Sequence, residues 1–68
     1  MTAKQFQAAI DRLGLSQVGA ARLVGADPRT SRKWAAGDNA VPECVAILLR
    51  LMLAGKITAE DVNKVRQS

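Results

Sequence analysis

The chain has no histidine and no tyrosine, one cysteine, and only two aromatic residues, Phe6 and Trp34. Each shortage excludes a class of explanation. Without histidine, the single thiol Cys44 has no imidazole to activate it as a nucleophile. One cysteine also rules out an internal disulfide framework and points away from an oxidising compartment. Within an apolar stretch, Cys44 reads as a small core residue. The six carboxylates are scattered, and no cluster has metal-ligand spacing. The expectation is a non-enzymatic protein with no cofactor, no metal and no small-molecule ligand. The one apolar run, 41–53, is too short to span a bilayer and is interrupted by Pro42, Glu43 and Arg50. The first ten residues, MTAKQFQAAI, lack the apolar core and cleavage site of a signal peptide. A cytoplasmic protein without membrane association is expected. With so few aromatics the core must be aliphatic, which suits small helices better than a sheet.

What is present is a 68-residue chain, 49% hydrophobic, which reads as a single domain over 1–68. A chain of this size buries only about 60% of its unfolded surface, so every element must contribute. The net charge is +4 and the pI about 10.0. A basic balance favours polyanionic partners. The cations are concentrated: between Arg22 and Lys33 there are four, against the one anion Asp27.

The stretch Gln17 to Gly37, QVGAARLVGADPRTSRKWAAG, organises the rest. It reads as two short helices, about 17–24 and 28–36, joined by a tight turn. Ala20 and Ala21 mark the helix contact, with Val24 on the same inner face, and Leu23 is left to meet a later helix. Gly25 breaks the first helix in a left-handed conformation. Asp27 caps the second and Pro28 opens it. Gly19 reads as a neutral surface choice within the first helix. Upstream, Thr2 and Gln5 form a capping box for a helix with Phe6, Ile10 and Leu13 inward. That helix ends at Gly14, and Ser16 caps the next. Downstream, Gly37 stops the third helix, and Pro42 occupies the first position of a fourth that ends at Gly55. Thr58 starts a fifth, boxed by Asp61 and anchored by Val62 and Val65, with a polar end over 63–68 that frays. The fold class is thus all-α, a compact bundle of about five short helices.

A helix turns 100° per residue. With Ser31 and Trp34 on the core side, Arg29, Lys33 and Ala36 lie opposite, Arg32 on one flank and Thr30 on the other. Three cations then project from one short surface. Arginine can pair bidentately with guanine O6 and N7, and lysine can reach the same acceptors or a phosphate. The capped helix N-terminus suits phosphates as well.

Residues 13–51, LGLSQVGAARLVGADPRTSRKWAAGDNAVPECVAILLRL, resemble the lambda-repressor and Cro-like helix-turn-helix family. The resemblance rests on the opening Leu13-Gly14-Leu15-Ser16-Gln17, on Ala21, Val24-Gly25, Thr30, Trp34 and Gly37, and on Val41-Pro42 followed by Val45 and Leu48-Leu49. It implies sequence-specific binding to double-stranded DNA by a small transcriptional regulator of prokaryotic or phage type, a repressor by default, reading the major groove with helix 28–36. It implies that Gln17 contacts the DNA backbone, and that Pro28, Arg29, Thr30, Arg32 and Lys33 meet bases or nearby phosphates. Two residues depart from the pattern. Ser31 stands where the family has a β-branched apolar residue, which implies looser packing or a hydroxyl bonded to backbone. Pro28 replaces a polar base-reader, which leaves fewer side chains for direct readout.

The competing reading is a protein-interaction module, such as an antitoxin or repressor partner, acting through the apolar helix 42–54. That helix carries two stripes, Val45-Leu48-Leu49-Met52 and Cys44-Ile47-Leu51, and one of them must face something. A weak homodimer, strengthened by a palindromic site, is expected.

Overall fold

The structure, a computed structural model, describes residues 1–67. The order is α1 (Ala3–Arg12), α2 (Gln17–Val24), α3 (Pro28–Ala36), α4 (Glu43–Leu53) and α5 (Ala59–Gln67), with no strand among the described residues. The fold is all-α. Each boundary follows from local chemistry. Thr2 and Gln5 exchange bonds, the Thr2 N–H to Gln5 Oε1 at 2.8 Å and the Gln5 N–H to Thr2 Oγ1 at 3.1 Å. Such reciprocal bonds satisfy two donors that a helix start leaves unpaired. Ser16 Oγ accepts from the Gly19 N–H at 2.9 Å, and Asp27 Oδ1 from the Arg29 N–H at 2.8 Å. α2 and α3 both terminate on a left-handed glycine, Gly25 at φ 74° and Gly37 at φ 83°. The chain then folds back to satisfy carbonyls that the helix ends expose: Ala26 N–H donates to Ala21 O at 2.8 Å, and Asp38 N–H to Lys33 O at 2.9 Å.

The core is one cluster around Phe6, Ala9, Ile10, Ala20, Trp34, Ala35, Val41, Val45, Ala46 and Leu49. Phe6 and Trp34 meet edge to face, centroids 5.7 Å apart and planes 80° apart, a geometry that aromatic quadrupoles favour. α3 packs on α1 and α2, α4 on α1, and α5 on α2. Gln7 adds a polar tie, donating its Nε2–H to Ala35 O near the end of α3.

Several expectations need correction. Pro42 is the cap preceding α4 and not its first residue, so the helix is 43–53. Its fixed φ suits either place, but its ψ of 143° is extended. Val24 and Leu13 are only half-buried, whereas Leu23 is buried. Leu23 shares a groove with Val62 of α5, so it does meet a later helix. Val65 does not anchor α5, being 73% exposed. Residues 63–67 are helical, and Arg66 donates a guanidinium N–H to Arg22 O at the end of α2; the remaining residue of the expected fraying end, Ser68, lies outside the described residues. Thr58 and Asp61 form the expected box at 2.9 and 3.2 Å. The Thr58 bonds, with Lys64 nearby, hold the Asp61 carboxyl below the ordinary range.

Ser31 is fully buried, and its Oγ has no hydrogen-bond partner among the described residues. The alternative of a hydroxyl bonded to backbone is therefore not realised. A buried donor left unpaired costs about 1–3 kcal/mol, so the residue fits by size and not by polarity. Ser31→Ala is expected to stabilise the fold by about 1 kcal/mol, read as a higher denaturation midpoint at unchanged slope; a lower midpoint would reveal a hidden bond. Trp34→Ala should cost about 3–5 kcal/mol, a large share of a small domain's stability. Chemical denaturation, with Trp34 fluorescence blue-shifted in the native wild type, checks this.

Candidate nucleic-acid interface

The roll of α3 about its axis decides what it presents. Ser31, Trp34 and Ala35 are buried. The opposite positions Arg29, Arg32, Lys33 and Ala36 are exposed, and their i, i+3, i+4, i+7 spacing puts them along one side. Pro28 and Thr30 are half-buried on the flanks. Among the described residues, the ion pairs are Glu43–Arg50 and Glu60–Lys64, and Arg29, Arg32 and Lys33 belong to neither. The three cations thus form an exposed row with no carboxylate partner. Asp27 is the nearest anion in sequence, and its Oδ1 is engaged by the Arg29 backbone.

The start of α3 offers no free amide. Pro28 has no N–H, Arg29 N–H goes to Asp27 Oδ1, and Thr30 N–H goes to Asp27 O at 2.9 Å. This corrects the expectation that its capped N-terminus suits a phosphate: Asp27 already holds the donors. α2, by contrast, leaves its leading amides open, as α1, α4 and α5 do among the described residues. Ser16 takes Gly19 N–H through its side chain and Ala20 N–H through its carbonyl at 2.8 Å. The N–H groups of Gln17 and Val18 have no partner among the described residues. Gln17 is exposed at the first position of α2, so its amide side chain and two backbone donors converge there. Helix N-termini with free N–H groups attract anions. Sequence reading placed Gln17 but missed these amides. The signal was present, since a serine cap satisfies only one of the leading donors.

Gly19 also has a reason beyond neutrality. A Cβ there would come within 3.2 Å of Ser16 Oγ, tighter than ordinary contact. The glycine leaves room for the capping hydroxyl that holds the start of α2.

α2 packs directly on α3, joined by the three residues Gly25–Asp27. The two-helix unit therefore carries a basic side on its second member and a donor-rich N-terminus on its first. No group of three or more cysteine, aspartate or glutamate side chains among the described residues could hold a metal ion. Among the described residues no helix is long and apolar enough to cross a membrane. No family model, no curated protein and no solved structure matches the chain.

Proposed function

We propose that the chain binds double-stranded DNA sequence-specifically, with α2 and α3 acting as a helix-turn-helix and α3 lying in the major groove. The observation that carries this reading is the row Arg29, Arg32 and Lys33, exposed and without an ion pair among the described residues, on one side of a helix whose other side is fixed in the core. A helix of about 10–12 Å diameter fits a major groove about 12 Å wide. The Gln17 side chain and the free amides at the start of α2 supply phosphate donors beside it. Phosphate contacts fix register, and base contacts specify. The role that follows is a small cytoplasmic transcriptional regulator of prokaryotic or phage type, repressing by occupancy and without catalysis or cofactor.

Affinity for duplex DNA is expected to fall steeply with salt. About three to five phosphate neutralisations per subunit, each contributing ~0.9 to the log–log slope, set its size. Fluorescence anisotropy over a salt series measures it, and a flat response would leave a pure protein-interaction module as the better reading.

Reading and holding separate by mutation. Arg29 sits in the first turn of α3, exposed, with a fork that guanine accepts and lysine does not reproduce. Arg29→Ala should cost about 1–3 kcal/mol on a selected site and relax preference at one base pair. Gln17→Ala should weaken binding to selected and random duplex by one common factor. Intact base preference in Arg29→Ala would move the reading role to Arg32 or Lys33.

A further inference from the structure

A cavity of about 230 Å³ lies between α1 and α4. Gln5, Ala9 and Arg12 line it from one side of α1, at i, i+4 and i+7, and Arg50 and Leu53 from α4, at i and i+3. Met1 completes the lining. Two kinds of chemistry meet there. Met1, Ala9 and Leu53 are apolar and belong to the core or pack against it. The two charged side chains are both guanidinium groups, and no carboxylate lines the cavity. Gln5 Oε1 is held by the Thr2 N–H at 2.8 Å, which leaves its Nε2–H as the group on offer. Arg12 is exposed and has no ion pair among the described residues. Arg50 donates Nη1–H to Glu43 Oε1 at 3.3 Å, with side chains 54% and 70% exposed. A pair so exposed is weak, and a guanidinium carries more donors than one carboxylate oxygen takes.

We infer that this cavity binds a small monocarboxylate with a short apolar body, its head between Arg12 and Arg50 and its body against Met1, Ala9 and Leu53. The lining side chains select the head. They offer donors and positive charge, so an ammonium group would be repelled and a neutral head would gain little. The planar fork of a guanidinium matches the two oxygens of a carboxylate. Glu43 already offsets one of the two side-chain cations, so a single negative charge suffices. The volume selects the body, since it falls below the ~300–1,000 Å³ that drug-sized ligands occupy. A bare anion would leave the apolar half of the lining unused. Sequence reading expected no small-molecule ligand, because Arg12 and Arg50 come together only through the packing of α1 on α4. No lining residue belongs to α2 or α3, so the inference stands apart from the DNA reading.

Titration of the isotope-labelled whole chain, followed by amide and guanidinium NMR signals at constant ionic strength, tests it. The probes are hexanoate, 1-hexanol, hexylammonium, acetate and inorganic phosphate. Hexanoate should shift the signals of Gln5, Ala9, Arg12, Arg50 and Leu53 saturably, with a dissociation constant of about 1 mM. The other four should bind at least ~10-fold more weakly, for want of either the charged head or the apolar body. Arg12→Ala and Arg50→Ala should each weaken hexanoate at least ~10-fold, at unchanged circular dichroism. Glu43→Gln frees Arg50 and should tighten hexanoate about 2–5-fold, a gain that keeps the test sound if an alanine variant unfolds. Absence of saturable shifts at these residues, hexanol or phosphate binding as well as hexanoate, or affinity untouched by all three variants would overturn the proposal.

Discussion

The edge-to-face contact between Phe6 and Trp34 sets the roll of α3, and most of the rest follows from that roll. A helix with one large apolar group can be turned only one way into a core made chiefly of alanine, valine, leucine and isoleucine. Once the indole meets the phenyl ring, Ser31 and Ala35 must face inward and Arg29, Arg32 and Lys33 outward. The small side chains at 31 and 35 let α3 come close to its neighbours. The Gln7 bond to Ala35 O then ties the end of α3 to the same helix that supplies Phe6. The Ser31 hydroxyl, buried without a partner, is carried at a cost at this contact.

A second constraint is the saturation of helix ends. In so small a protein five helices mean ten termini, and unpaired backbone groups there weigh heavily against a thin hydrophobic core. The chain closes most of them locally, with Thr2, Ser16, Asp27 and Thr58 at starts and left-handed glycines at stops. The cap leaves the first two amides of a helix open, at Gln17 and Val18 as at the starts of α1, α4 and α5, and only α3 lacks them. α3 and α2 divide the proposed task accordingly. α3 has cationic side chains to extend and no backbone donors at its start, and α2 has the Gln17 side chain and two open amides.

Charge and apolar surface are segregated by element. Arg29, Arg32 and Lys33 occupy the outward side of α3, whereas α4 turns Ile47 and Leu51 outward and pairs its own two charges, Glu43 and Arg50, with each other. A polyanion and a second neutral surface could therefore be engaged at once without competing. Electrostatic attraction of the first kind acts at a distance and is screened by salt, whereas contact of the second kind is short-ranged and apolar.

Helix positions were legible in the sequence because their determinants are local. Ser16, Gly25, Asp27, Pro28 and Gly37 each act within one turn, and α2 and α3 occupy the residues those signals mark. The outward side of α3 was legible too, because the lone tryptophan leaves one choice. The sequence could not tell which stripe of α4 is core, because Cys44-Ile47-Leu51 and Val45-Leu48-Leu49-Met52 are alike in composition. The outcome depends on where α1 approaches, which is set by packing over long sequence separation. Nor could it place Arg66 on Arg22 O, expose Val65, or find Ser31 without a partner. Capping, glycine stops and helical periodicity belong to the sequence because their partners lie within a few residues. Burial, orphaned hydroxyls and open faces belong to the tertiary structure, because what covers a side chain is supplied by segments far along the chain.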